Sequence, residues 1–259
     1  MPTMTSAETL AKLAKLASEK LKKDIVSLAD MPESSLPAFV STGVVALDWA
    51  LGGGIPLGRI VELYSREESE GKSTLAVHIL REIQKMDGIA VLIDTEQGNV
   101  GTHLEELGVD IEKLLYVTPE TLEEVFDSIV AIIESWKELK EDKPSVVVLD
   151  SLTATPTKEQ MDGEFGDRLY APQARVISQA LPRIVKLLAD SHMTLIVTNQ
   201  SRIKIGVGYG DPTETTGGKA LKFYASQRIM LKRTEVLKKD EDAIGMVVEA
   251  KVVKNKVAR

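Results

Sequence analysis

The chain of 259 residues contains no cysteine. That excludes disulfides, zinc ribbons, iron–sulfur clusters and thiol nucleophiles. Histidine is nearly as scarce: His78, His103 and His192 are the whole complement, far apart, which argues against a histidine-based metal site. No apolar run approaches the roughly 20 residues a bilayer-spanning helix needs. The Lys-rich start alternates with Ala and Leu and lacks a continuous signal core. The expectation is a soluble, cytoplasmic protein with no membrane partner. Positive charge is in deficit as well, with a net charge of −7 and a pI near 5.2. Any nucleic-acid contact must therefore come from a local basic patch rather than the bulk field. What is present is ordinary globular material, 43 % hydrophobic and 27 % charged, and long enough to bury a sizeable core. At roughly 150 residues per domain, one large domain with or without a small appendage is expected.

Residues 5–23 read as a helix. Thr5 and Glu8 have capping-box spacing, Leu10, Leu13, Leu16 and Leu21 share a face, and Lys20, Lys22 and Lys23 sit at the negative end of the dipole. The segment 31–37, with Pro32, Ser34, Ser35 and Pro37, reads as a linker. The boundary is placed near residue 36, giving units 1–35 and 36–259. The leading helix is a core-packing element, a docking arm for another subunit, or simply a solvated helix. Beyond it, apolar runs at 59–64, 89–94, 145–150 and 193–199 suit strands buried on both faces of a parallel sheet. Helical stretches near 72–86, 121–140 and 172–190 lie between them. The alternation predicts an α/β fold with a mainly parallel twisted sheet flanked by helices. Strand patterns at 227–233 and 245–254, without long intervening helices, predict an antiparallel extension.

The strongest local signal is SREESEGKST at 65–74, between a strand and a helix. A turn in that position presents backbone N–H groups and a helix N-terminus to an anion. Lys72 is placed to reach β- and γ-phosphates and Ser73 to ligate Mg²⁺. Arg66, Glu67, Glu68, Ser69, Glu70, Gly71, Lys72, Ser73 and Thr74 together form the candidate ATP cradle. The turn departs from the phosphate-loop pattern at two points. Arg66 stands where the first glycine belongs, so it either strains the turn or lends it charge. Glu70 adds a negative charge that is expected to weaken phosphate binding unless its carboxylate turns outward.

Two further strands end in carboxylates. Asp150 closes SVVVLD and is placed to hold Mg²⁺, since ligands in open α/β sheets lie beyond the carboxyl ends of strands. Glu96, in IDTEQ, is the candidate catalytic carboxylate that orients the attacking water. Asp94, nearer the strand, reads as a cap for the next turn. Gln200 ends MTLIVTNQ, where a neutral amide can sense a terminal phosphate.

The segments STGVVALDWALGGGIPLGRIVEL, GKST, IDTEQ, VVVLDS, TNQSRIKIG, ETTGGKALKFYAS and VVKNK together resemble the bacterial RecA recombinases, from about residue 36 to 259. The resemblance implies a RecA-like ATPase core with an N-terminal helical arm. It implies an ATP- and Mg²⁺-dependent, DNA-stimulated ATPase that self-associates into a helical filament on single-stranded DNA and exchanges strands with duplex DNA. It assigns Lys72 and Ser73 to phosphate and Mg²⁺, Asp150 to Mg²⁺, Glu96 to catalysis, and Gln200 to the link between γ-phosphate and DNA. Lys254 and Lys256 correspond to lysines that reach a neighbour's ATP, and Phe223 to an interface residue that couples the phosphate sensor to filament state. DNA-binding loops are implied near 162–171, with Arg168 and Tyr170 and the following Arg175, and at 201–218, with Arg202, Lys204, Ile205, Gly217 and Gly218, extended by Lys219. Phosphate contacts of this kind are indifferent to sequence and sensitive to salt, and Tyr170 and Ile205 are suited to stacking or wedging between bases.

The chain departs from the family at Arg66, at Glu70, and at His103, which occupies the place of an aromatic ring that stacks on adenine. Family members also continue past the position of Arg259 through the rest of the core into a small C-terminal domain, so the expectation is either a naturally short form of the recombinase or a truncated piece of one. Two rivals stand beside it: a weakly hydrolysing paralogue that binds DNA or a recombinase, motivated by Arg66 and Glu70, and another ATPase with a related core, such as a helicase or a clock-type kinase.

Overall fold

The computed structural model describes residues 10, 12, 13, 15, 16, 19, 20, 38–96, 98, 101–141, 143–163, 172–203 and 213–258. The chain divides into two compact units, Met1–Leu36 and Pro37–Arg259. In the first, the described residues are helical and Leu10, Leu13 and Leu16 are exposed. Leu21 and the predicted linker lie outside the described residues.

In the second unit the elements run β1 (Phe39–Val40), α1 (Val45–Leu51), β2 (Ile55–Pro56), β3 (Ile60–Ser65), α2 (Lys72–Lys85), β4 (Ile89–Asp94), α3 (Gly101–Glu106), β5 (Leu114–Val117) and α4 (Leu122–Leu139). They continue as β6 (Ser145–Asp150), α5 (Lys158–Asp162), α6 (Pro172–Ser191), β7 (Met193–Ile203), β8 (Thr213–Thr215), α7 (Lys219–Tyr224), β9 (Gln227–Lys239) and β10 (Asp242–Asn255). The main sheet has the order β10-β9-β3-β7-β6-β4-β5, with β8 antiparallel on β7. The strands from β9 to β5 pair in parallel, and β10 is antiparallel to β9. β1 and β2 form a separate antiparallel pair.

The apolar runs become central strands because both faces of the sheet are covered. On one face Val61, Leu63, Leu92, Val146 and Val148 meet Leu75, Ala76, Ile79, Leu80 and Ile83 of α2. On the other, Ile60, Val91, Ile93, Val147, Leu149, Leu195 and Val197 meet the buried stripes of α4 and α6. Each such Leu, Ile or Val contributes about 1.5–3 kcal/mol by leaving water. Thr121 starts α4 by accepting the Glu124 N–H at 3.3 Å.

The predicted strands and long helices are present to within a residue or two, except that β7 runs on to Ile203 and the last two strands form a longer ribbon, 227–239 and 242–255. The predicted antiparallel extension holds for the β9–β10 pair alone. β9 itself joins the sheet parallel to β3, because the short helix α7 leads the chain to the far side of that strand.

Candidate nucleotide-binding site

β3 is buried along its length and ends at Ser65, which lies beside Gln200 of β7 in the parallel register. The chain then turns through residues 66–71 into α2. Gly71 precedes the helix with φ of 87° and supplies no side-chain cap, so the first amides of α2 have no side-chain acceptor there. The left-handed positions of the turn are Ser69, at φ 54°, and Gly71; Arg66 is not among them. An Arg in place of the first glycine therefore does not strain the turn, and its side chain is exposed.

Lys72 folds back over the turn. Its Nζ lies 2.6 Å from Ser65 Oγ and 3.4 Å from the Glu67 carbonyl oxygen. Ser65 in turn donates to the same carbonyl at 2.6 Å. Burial lowers the pKa of this lysine, and Asp150, Glu70, Glu96 and Glu68 oppose the shift by favouring the ammonium form.

The Glu70 carboxylate turns inward, not outward: it is buried, and Oε2 accepts the N–H groups of Arg66 and Glu67, each at 3.1 Å. Oε1 accepts the N–H of Arg233 on β9 at 3.2 Å.

The neighbouring strands deliver the acidic residues to the same edge. Asp94 and Asp150 are register partners across β4 and β6. Asp150 is buried and accepts a bond from Thr198 Oγ1 at 2.6 Å. Asp94 caps the following turn as expected, accepting the Glu96 N–H at 3.0 Å, and also accepts the Tyr116 hydroxyl at 2.7 Å. Burial, with the Asp94 bond and charge, pushes the Tyr116 phenol up to about 12. Glu96 is exposed, and its Oε1 accepts the Ser151 hydroxyl at 2.6 Å. Thr95 Oγ1 donates to the Ser151 carbonyl at 2.8 Å and accepts the Ser151 N–H at 3.0 Å, which ties the two acidic turns together. The Gln200 N–H donates to Thr153 Oγ1 at 3.1 Å and Asn199 Oδ1 at 2.9 Å.

Lys72, Ser73, Glu96, Asp150 and Gln200 thus gather at the carboxyl edge of four adjacent strands, β3-β7-β6-β4. Among the described residues no group of three acidic, His or Cys side chains could enclose a metal. The Ser73 hydroxyl and the Asp150 carboxylate are hard oxygen donors of the kind Mg²⁺ takes when water and substrate phosphates complete its shell.

The remaining predicted residues are spread more widely. His103 lies exposed on α3, its Nδ1 3.8 Å from Glu106. Arg175, on α6, pairs with Glu159 at 3.5 Å. Arg202 near the end of β7 and Lys219 at the start of α7 are exposed. Gly217 and Gly218 have φ of 87° and 72°, and a side chain at Gly217 would collide with Ile177. Arg168, Tyr170, Lys204 and Ile205 lie outside the described residues. Lys254, Lys256 and Phe223 come together at the end of α7. Lys254 Nζ donates to the carbonyls of Lys222 and Phe223 at 2.7 and 3.0 Å, and Lys256 Nζ lies 5.6 Å from the centre of the Phe223 ring. Phe223 itself is 69 % exposed. Burial, then the charges of Lys256 and Arg228, lower Lys254 to about 8.

Sequence reasoning missed the polar brace under the site. Glu62 of β3 is fully buried and accepts bonds from Arg228 Nε and, at 2.9 Å, from Asn199 Nδ2. Arg228 also lies over the Tyr64 ring at 4.6 Å. The signal was a lone carboxylate inside RIVELY: a charge in a strand buried on both faces requires a partner. Asn199 passes the brace on, since its Oδ1 accepts the Thr153 hydroxyl at 3.0 Å beside the Gln200 amide.

Comparison with known proteins gives a consistent result. The RecA N-terminal domain family matches residues 8–259. Protein RecA of Arthrospira platensis is 44 % identical over 237 residues, which cover 92 % of this chain and 63 % of the relative. Protein RecA of Nostoc sp. is 44 % identical over 219 residues, covering 85 % of this chain and 59 % of the relative. Protein RecA of Trichodesmium erythraeum is 43 % identical over 240 residues, covering 92 % and 64 %. The chain thus spans about three fifths of the length of these relatives.

Proposed function

The chain belongs to the RecA family, and from that premise we propose that it is the ATPase core of a DNA recombinase, binding ATP with Mg²⁺ and assembling on single-stranded DNA for homologous pairing and strand exchange. The observation that carries the reading is the convergence of Lys72, Asp150, Glu96 and Gln200 from four neighbouring strands on one edge. A pure binding module has no use for that whole set.

On this reading the turn amides and Lys72 take the β- and γ-phosphates, and Ser73 and Asp150 hold Mg²⁺, which neutralises charge on the phosphate oxygens when bound. Glu96, fixed by Ser151, orients and deprotonates the attacking water. Gln200 stands at the start of the segment that leads to the second implied DNA loop, so its side chain is suited to carry phosphate occupancy to DNA. Lys254 and Lys256 complete the site of a neighbouring protomer, acting as an arginine finger does when the neighbour is docked. Affinity for DNA would fall steeply with salt, because the contacts are to phosphates.

The test is ATP turnover by the whole chain with and without single-stranded DNA, alongside light scattering for assembly and a strand-exchange assay. DNA-stimulated turnover with exchange is expected. Nucleotide binding without turnover would identify an accessory paralogue, and unwinding without exchange would identify a helicase.

A further inference from the structure

The pairing of β3 with β9 ends at Ser65 opposite Leu231, where β3 gives way to the phosphate turn, while β9 continues to Lys239. Two residues past that last pair, the Arg233 N–H finds its acceptor in Glu70 Oε1. The other oxygen of the same carboxylate holds the Arg66 and Glu67 N–H groups at the opposite end of the turn. One buried side chain therefore ties the first residues of the turn, its last residues and the ribbon into a single unit. The ribbon also lies close by at Gly71, where an added Cβ would stand 3.5 Å from Val248 Cγ2 and 3.6 Å from Met246 Cε.

We infer that Glu70 is a positioning residue for nucleotide binding, holding a turn that begins with Arg66 in its phosphate-accepting shape by joining the first amides of the turn and the Arg233 N–H of β9 to one carboxylate. The inference rests on the nucleotide reading of the site. A carboxylate that accepts three backbone N–H bonds is not a loose charge facing phosphate: those donors fix its position and orientation. Removing it leaves three amides without their acceptor and frees Ser69 to leave the left-handed region. A turn that spends only part of its time in the binding shape binds proportionately more weakly. A bystander carboxylate predicts the opposite sign, since deleting a negative charge beside a phosphate site tightens binding.

The experiment titrates the whole chain with a fluorescent ADP analogue and Mg²⁺, comparing wild type, Glu70→Ala, Glu70→Gln and Lys72→Ala, with amide hydrogen exchange on the nucleotide-free proteins. Glu70→Ala should bind about tenfold more weakly. The loss should sit in the association rate, with the dissociation rate unchanged, as expected for lost preorganisation rather than a lost ligand contact. Exchange should quicken at Arg66, Glu67 and Arg233. Glu70→Gln, which keeps the shape but turns an NH₂ toward backbone donors, should weaken binding in the same direction and serves if the Ala variant folds poorly. If wild type takes up no nucleotide, the site reading fails and this inference falls with it. If wild type binds, Lys72→Ala does not, and the Glu70 variants bind as tightly as wild type or tighter, the site stands and the role of Glu70 alone is overturned.

Discussion

Lys72 and Lys254 are both drawn below the ordinary lysine value by burial, yet their surroundings are opposite in sign. Four carboxylates, Asp150, Glu70, Glu96 and Glu68, support the ammonium of Lys72. Lys254 stands instead beside Lys256 and Arg228, with Glu62 as the opposing charge and backbone carbonyls as its bonded partners. Lys72 thus has its counter-charges within its own chain. The second region is a crowd of cations beside an exposed ring, and such a cluster gains most from an anion brought by another molecule. The two regions should therefore fail differently: one as lost activity in every setting, the other only after assembly.

The sharpest test of that difference is the double variant Lys254→Ala, Lys256→Ala. On the proposed reading, DNA-stimulated turnover should drop by about 10³-fold, the scale of a lost arginine finger. ADP affinity of the isolated chain should stay within about twofold, because uniform binding at the first region is untouched. Equal losses in both measurements would break the comparison. Glu96→Gln is expected to act next in size, cutting turnover by about 10²-fold or more while leaving nucleotide affinity nearly intact. Robust turnover in that variant would remove Glu96 from the catalytic role.

Arg228 belongs to both regions, bonded to buried Glu62 below the first and adding charge to Lys254 in the second. Arg228→Ala leaves the Glu62 carboxylate without its cation in the core, which should cost about 3–5 kcal/mol in denaturant unfolding. Replacing the pair together, Glu62→Leu with Arg228→Met, should cost much less. If the single variant is as stable as wild type, the brace under the site is not holding β3 to β9.

These two regions also differ in how far the amino-acid sequence alone reveals them. The carboxyl-edge set was legible because each member follows an apolar run that can only be a central strand: IAVLID before Glu96, SVVVLD ending in Asp150, RIVELY before the GKST turn. Strand order then decides adjacency, and a parallel sheet with short connections leaves few orders to choose from. Glu62 and Arg228 could be suspected as misplaced charges, but their pairing spans 166 residues of sequence and depends on β9 lying next to β3. The inward turn of Glu70 was not legible at all. Its bonding depends on β9 outrunning β3 past Leu231, which no local pattern reveals. The Lys254–Lys256–Phe223 cluster was named through family likeness alone, since by periodicity those lysines read as a solvated strand face.

The smallest effect is also the one that bears most directly on the second region. In the free protein Lys254 should release its proton near pH 8, read by NMR of the side-chain nitrogen, because burial and two neighbouring cations penalise its charge. The cation is then about nine-tenths present at pH 7, half present near pH 8 and largely lost at pH 9. An anion docked against it must hold the proton more tightly, by the same coupling that lets the proton help hold the anion. The alkaline limb of turnover in the assembled protein should therefore fall at a higher pH than the NMR midpoint of the free chain. Lys254→Arg, which keeps its charge throughout, should flatten the limb. Coincidence of limb and midpoint, with flattening in the Arg variant, would mean that Lys254 acts as a bare cation with no phosphate against it. An unmoved limb in Lys254→Arg would mean that this lysine does not carry the trans contact.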